Sequence, residues 1–461
     1  MSALWTSREA QAATLGQASQ AFTATGMSID TRTLKPGDLF VALKGDARDG
    51  HAFVRAALDA KASAALVARR PEGVTGPLLT VANTQRGLED LARASRARSR
   101  AKIVAVTGSA GKTTTKEMLR LAFGALGSTH ASAESYNNHW GVPLSLAAMP
   151  REAQFGVFEV GMNHFGELRA LVSFVRPHVA LVTTIAPAHL EFFGNLEAIA
   201  DAKSEIFEGI MPGGVALVPS DSPYCERLTA RARQAGVSRI LGFGEKTGSD
   251  ARLIATGDAE EGMKIEAEIL GRKVSFRIGA PGAHIASNAL GALLAVAALD
   301  EDVLNAAAAL QNFSALEGRG ARLRIALKGG AAEIIDESYN ANPTSMSAAI
   351  ALLRATSARR RIAVLGDMLE MGPEGPAHHA ALARDLEAAR VDLLFANGTQ
   401  MKSLWDALPA SRRGAYGAAS SDIVARVVAE IAPGDAVLVK GSKGSKMNVI
   451  VDALKALGGA E

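Results

Sequence analysis

One cysteine, Cys225, is all that 461 residues contain. A single thiol excludes an internal disulfide framework and suits a reducing compartment. Long apolar runs are missing too. The longest, "ALGALLAVAAL" from Ala289 to Leu299, stops at Asp300, too short to span a bilayer. It reads as a buried helix. The opening "MSALWTSREAQAATLG" has no basic start followed by an apolar core. The expectation is therefore no signal peptide, no membrane insertion and a cytoplasmic protein. Neither charge sign dominates: 50 Lys+Arg against 47 Asp+Glu leave a net charge of +3. That balance gives no ground for nucleic acid or an anionic membrane as a general partner. Low-complexity segments and short-period repeats are also absent.

What remains is an ordinary globular composition, 48% hydrophobic and 21% charged. The length allows about two to four domains. The reading divides the chain into 1–83, 84–313 and 314–461. In the first part, Pro36-Gly37-Asp38 makes a turn before a strand from Leu39 to Leu43, "HAFVRAALDAKA" reads as an amphipathic helix and "SAALVA" as a strand. The second part opens on an Arg-rich helix carrying Arg93, Arg96, Arg98 and Arg100. Because no aromatics interleave these arginines, a solvated helix face is favoured over a nucleic-acid patch. Strands and helices then alternate as in a parallel sheet, with a more antiparallel insert expected over "ARLIATGDAEEGMKIEAEILGRKVSFRI". The third part alternates again through "AEII", "RIAVLG", "VDLLFA" and "DAVLVKG", a second, smaller doubly wound sheet.

"KIVAVTGSAGKTTTKEML" carries the chemistry. An apolar strand runs into the turn Thr107-Gly108-Ser109-Ala110-Gly111, and Lys112-Thr113-Thr114 open a helix. Glycines let backbone N–H groups converge on phosphate oxygens. Lys112 would reach the β/γ-phosphates and the Thr113 hydroxyl would ligate Mg2+. The full P-loop pattern wants a glycine where Val106 stands, so this is the shorter G-x-x-G-K-T form.

Ligands of open α/β sheets sit beyond the carboxyl ends of strands. Several apolar strands end there in polar residues: Glu159, His189, Asp336-Glu337, Asp367 and Lys440. Glu159 is costly to bury alone, so it either pairs with a basic residue or holds a metal beside the phosphates. His189 either hydrogen-bonds structurally or joins that metal. Helical spacing puts Lys203 on the apolar stripe with Ile199, Ile206, Phe207 and Ile210. From spacing alone, a snorkelling lysine is the better reading. The alternative is a desolvated amine that takes up CO2 and becomes a carbamate able to ligate metal.

"TGSAGKTTTKEM", "SYNNHWGVPLSL", "FEVGMNHFGE", "PAHLEFFGNLEAIADAKSEIF", "DESYNANPTSM" and "LVKGS", in this order, resemble the Mur ligase family, which forms amide bonds on the peptidoglycan precursor using ATP. The N-terminal "DTRTLKPGDLFVALKGDARDGHAF" extends the resemblance over nearly the whole chain. It implies an α/β protein of three domains: a small α/β N-terminal domain for the UDP substrate, a central P-loop-type parallel-sheet ATPase domain, and a C-terminal Rossmann-like domain. "SYNANPTSM" and "KGS", with no D-N-P-R tetrapeptide, imply a ligase that adds D-alanyl-D-alanine to a UDP-N-acetylmuramoyl-tripeptide through an acyl phosphate. A monomer is expected.

The resemblance also implies roles. Residues Thr107 to Thr114 hold ATP phosphates. Lys112, Glu159, His189 and Lys203 are catalytic, and Thr113, Glu159, His189 and Lys203 hold magnesium. Lys203 matches the lysine that the family carbamoylates, which reverses the reading from spacing. Asn288 matches an adenine contact, and Arg319 and Glu337 match nucleotide contacts. Thr31, Arg32 and Lys44 match the uridine-diphosphate side, Asn137 and Asn138 the muramoyl side, and Lys440 is placed with the substrates. Three positions depart from the family pattern: Ile285, His139 and Trp140. Leu316 to Gly320, with two glycines, is the expected hinge of the third domain.

Overall fold

A computed structural model describes residues 3–46, 48–133, 135–259 and 262–458. The outer ends of the first and third expected divisions, residues 1–2 and 459–461, lie outside the described residues.

The short first strands form a five-stranded sheet in the order Gln17–Ala18, Leu78–Thr80, Ala64–Val67, Asp38–Val41, Gly26–Ser28. All its pairings are parallel except that of Gln17–Ala18 with Leu78–Thr80. Gly37 enters this sheet at φ +91, where an added Cβ would stand 2.6 Å from Thr25 Oγ1. The strand expected to reach Leu43 stops at Val41 because Leu43 N donates to Val41 O in a tight turn. The expected helix is the short Val54–Asp59, preceded by a turn over Gly50–Phe53.

The central sheet has nine strands in the order Arg272–Ile278, Met263–Ile269, Ala251–Asp258, Arg239–Gly244, Val215–Pro219, Val179–Val182, Lys102–Thr107, Phe155–Glu159, Thr129–Ala131. Pairing is parallel from Thr129–Ala131 as far as Ala251–Asp258 and antiparallel beyond it, which matches the expected insert. Ile103 to Val106 are fully buried, as a strand covered on both faces must be. One cover is the helix Ala283–Ala298, apolar around most of its circumference, which holds the expected buried run from Ala289 to Ala298, with Leu299 as its C-cap. It lies against the sheet beside the helix Lys112–Gly124. Among the described residues no helix is long and apolar enough to cross a membrane.

The Arg-rich helix Thr84–Arg98 corrects the solvated-face expectation. Arg96 is buried, and its guanidinium donates to the carbonyls of Val175 and Arg176 at 2.8 Å. Arg98 lies 3.8 Å over the Trp5 ring and donates to Leu4 O. Arg96 satisfies carbonyls at the end of the helix Glu167–Val175 and Arg98 that of Leu4, while the Arg98 guanidinium stacks on Trp5. Arg93 and Arg100 remain exposed.

The third sheet runs Ala321–Leu327, Gly330–Glu337, Asp435–Lys440, Arg360–Gly366, Leu393–Asn397, Arg413–Gly417. Its first pair is an antiparallel hairpin and the rest are parallel. The segment Leu316 to Gly320 is not a free hinge. Gly318 N donates to Asp336 Oδ2 and Gly320 N to Asp336 O, so the segment is fastened to the third sheet. Ser314, two residues before it, is bridged to Gly279 of the central domain. The chain changes allegiance between Ser314 and Leu316. The two glycines serve positive φ angles of +73 and +98.

Candidate active site

The strand Lys102–Thr107 delivers the chain to the glycine loop, and the helix Lys112–Gly124 carries it away. Gly108 has φ +151, and a Cβ there would lie 1.8 Å from Thr183 Oγ1. Only glycine fits. Thr183 Oγ1 donates to Ala110 O at 2.5 Å, and Ser109 Oγ accepts from Ala186 N at 3.0 Å. The segment Thr183–Ala186, just past the strand Val179–Val182, therefore shapes the loop from next door, a role with no local signal in the sequence. Gly111, at φ +80, packs against the side-chain amide of Asn288.

Thr113 Oγ1 donates to Glu159 Oε2 at 2.8 Å, and Asn137 Nδ2 donates to Glu159 Oε1 at 2.6 Å. Glu159 is 1% exposed. Both of its oxygens are thus hydrogen-bonded. Hydroxyl and carboxylate together are the hard oxygen donors that Mg2+ takes. Lys112 Nζ folds back to donate to Gly108 O at 2.8 Å. Burial lowers its pKa, with the Glu159 carboxylate opposing and Arg319 adding to the effect.

Lys203 ends the helix Leu196–Ser204 and is 2% exposed. Its pKa falls well below that of an ordinary lysine, first from burial and second from the charge of Lys112. No carboxylate among the described residues pairs with it. At 2% exposure the side chain does not extend into solvent as a snorkelling lysine would.

A cleft of about 740 Å³ opens over the glycine loop and Glu159; Thr113 and Lys203 do not line it. Gly111, Lys112, Asn137, Asn138, Glu159 and Asn288 line it from the central domain. Arg319, Glu337, Tyr339, Lys440 and Lys443 line it from the third. Arg319 donates to Ser135 Oγ at 3.0 Å across the gap and lies 4.0 Å over the Tyr339 ring. Lys440 Nζ, almost fully buried, donates to Glu337 Oε2 at 3.0 Å and to Asn340 O at 3.0 Å. The two residues read as separate contacts thus neutralise one another.

His189 does not line the cleft. It sits at φ +59, and its Nδ1 is 2.5 Å from Glu370 Oε2 of the third domain. Ile285 is buried in the core, so that departure removes nothing from the wall. His284 and Ser287 face the cleft on the same helix. Burial lowers the His284 pKa, Glu337 opposes and Lys440 adds. Asn138 has a second duty: its Oδ1 accepts from Trp140 N and Gly141 N, fixing the turn that leads into the helix Gly141–Ala147.

Thr31 and Arg32 line a separate cavity of about 520 Å³ at the first sheet. Arg32 grips Asp30, whose carboxyl is held down to about 2 chiefly by that guanidinium. Lys44 is exposed and does not line this cavity, but Trp140 does.

Comparisons with known proteins place nearly the whole chain in one family. Three family models match: the Mur ligase family catalytic domain over residues 23–106, the Mur ligase middle domain over 106–296, and the Mur ligase glutamate ligase domain over 321–443. The chain is 30% identical to the UDP-N-acetylmuramoyl-tripeptide–D-alanyl-D-alanine ligase of Rickettsia prowazekii, covering 97% of this chain and 99% of that one. To the enzyme of the same name from Escherichia coli it is 34% identical, with 93% of each covered. Its structure is similar to that of MurF from Acinetobacter baumannii, with a TM-score of 0.84 and 30% identity over 98% of this chain and 99% of that chain. The chain belongs to the Mur ligase family.

Proposed function

We propose that the chain is an ATP-dependent amide ligase that adds D-alanyl-D-alanine to UDP-N-acetylmuramoyl-tripeptide, giving the pentapeptide, ADP and phosphate. Residues 1–83 take the UDP end, 84–313 the ATP, and 314–461 the dipeptide. The protein works in the cytoplasm as a monomer. One observation carries the reading: the glycine loop with Lys112 and the Thr113-bonded Glu159 faces Arg319 and the Glu337–Lys440 pair across a single cleft, lined by Lys112, Glu159, Arg319, Glu337 and Lys440. Activation on one wall and acceptor on the other is what amide formation from a carboxylate requires.

The tripeptide carboxylate attacks the γ-phosphorus of ATP. A P–O bond forms to the carboxylate, the bond to ADP breaks, and an acyl phosphate results. The dipeptide amine attacks the acyl carbon, and the tetrahedral adduct expels phosphate and releases a proton. Carboxylate and triphosphate repel each other, so Lys112 and Arg319 work by placing positive charge where negative charge gathers. Bound Mg2+ would supply further charge neutralisation at the phosphates, held by the Thr113 hydroxyl and the Glu159 carboxylate. Asn137 fixes the orientation of that carboxylate.

Lys203 is assigned to carbamoylation. The neutral amine would form an N–C bond to CO2 and lose a proton, leaving two oxyanionic ligand atoms. A buried amine with no counter-charge and a neighbouring cation in Lys112 supports this, because the carbamate turns a cation–cation contact into an attractive one. His189 joins such a site only after leaving Glu370.

The test is ADP formation with UDP-N-acetylmuramoyl-tripeptide and D-alanyl-D-alanine, each withheld in turn. Stoichiometric ADP only when both are present supports the ligase. Steady hydrolysis without either marks a motor or switch and overturns it. Tripeptides ending in meso-diaminopimelate and in lysine separate the two acceptable substrates.

A further inference from the structure

The cavity at the first sheet lies at the carboxyl ends of Gly26–Ser28 and Asp38–Val41. Eleven of its twelve wall residues fall between Ile29 and Phe53; the other is Trp140, from the central domain. Trp140 is held there from several directions. Its N–H donates to Asn138 Oδ1 at 3.1 Å, and its ring meets that of His139 edge-on at 5.3 Å. His139 O in turn accepts from Gln85 Nε2 at 2.9 Å. The tip of the indole abuts Gly45, where a Cβ would stand 2.7 Å from Trp140 Cη2. The indole is partly buried, and its Nε1–H has no acceptor among the described residues. A large flat ring with a free donor is thus fixed in the wall of a cavity that it does not belong to by chain order.

We infer that Trp140 is a substrate-reading residue, contacting the UDP end of the substrate with its indole. This rests on the reading that the first-domain cavity takes that end. Nucleotides stack on aromatic faces with useful affinity. The cavity supplies Arg48 for the diphosphate, with the Asp30–Arg32 pair and the Asp46 carboxylate also on its wall. Trp140 lies three residues from Asn137, which bonds Glu159. One short stretch therefore touches the nucleotide cavity at one end and the phosphate-transfer carboxylate at the other. A nucleotide seated on Trp140 sends the rest of the substrate toward Glu159.

UDP itself is the probe. Its binding to the full chain is followed by calorimetry and by tryptophan emission, the other indoles being Trp5 and Trp405. In the wild type UDP changes the emission; in Trp140→Phe that change is gone while the affinity stays within about threefold. Trp140→Ala binds UDP about 10- to 100-fold more weakly and raises the KM for the UDP substrate similarly, with the KM for ATP unmoved. Should Trp140→Ala fail to fold, the comparison of wild type with Trp140→Phe decides alone. Equal UDP affinity in wild type and Trp140→Ala, or an emission change that persists in Trp140→Phe, overturns the inference and leaves the ligase reading standing. A wild type that neither binds UDP nor forms amide overturns both.

Discussion

The hydroxyl of Thr113 and the carboxylate of Glu159 meet at 2.8 Å, joining the first turn of the P-loop helix to the tip of the neighbouring strand. The bond places an acid, otherwise costly to bury, where a phosphate-bound cation needs oxygen.

Replacing that acid tests its role. Glu159→Gln keeps the shape and loses the charge. We expect ADP formation to drop at least about 100-fold, with the Mg2+ dependence shifted to higher concentration and the far-ultraviolet circular dichroism unchanged. Near wild-type turnover at ordinary Mg2+ would remove Glu159 from the mechanism.

Lys203 gives a pH signature. Its folded pKa is depressed, so between that value and the ordinary one near about 10.4 the unfolded chain binds more protons. In CO2-free buffer stability should therefore rise with pH through this window and level off above it. Lys203→Met should flatten the rise, as read by urea unfolding across pH. Lys203→Ala should lose ligation and recover part of it with added acetate or formate; absence of any rescue leaves the residue structural.

Two glycines should respond in opposite directions. Gly108→Ala drives a methyl group into Thr183 Oγ1. The loop must distort, with ATP binding lost and stability lowered by about 2 kcal/mol or more. Gly124, in the helix Lys112–Gly124, has open space around it. Gly124→Ala should stabilise by about 0.5–1 kcal/mol. Thermal unfolding and a fluorescent ATP analogue check both.

Asp201, two residues from Lys203, accepts from Arg227 and Arg231 through both oxygens. Its carboxyl is held well below the usual range, first by Arg227, with burial opposing and Arg231 helping. The pair's stabilisation is present above the unfolded value near about 3.9 and fades as pH falls toward the lower folded value. Asp201→Asn should lower stability by about 1 kcal/mol at neutral pH, discounted for solvent screening. The gap to wild type should shrink below about pH 3.9; a gap constant with pH would contradict the clamp.

The phosphate loop, the acid at the tip of Phe155–Glu159 and the antiparallel edge were legible in the sequence because each is local: a turn, a strand end, an alternation. The Glu337–Lys440 pair was not, since its members lie 103 residues apart and meet only when their strands become neighbours. Arg96 was misread because charge looks solvated until buried carbonyls turn up beside it. The strand Arg413–Gly417, with two glycines and one aromatic, carries too weak a pattern to stand out. The glycines at 318 and 320 looked like flexibility and proved to be turns pinned by Asp336.

That pinning has a mechanical consequence. Ser314 is stitched to Gly279 and Leu316 to the turn of the third sheet, so any swivel concentrates in the few bonds around Ala315. Arg319 then rides as a rigid passenger of its own domain. A rotation there would withdraw it from Ser135 and part the lips of the cleft only as the His189–Glu370 contact between the same domains also opens.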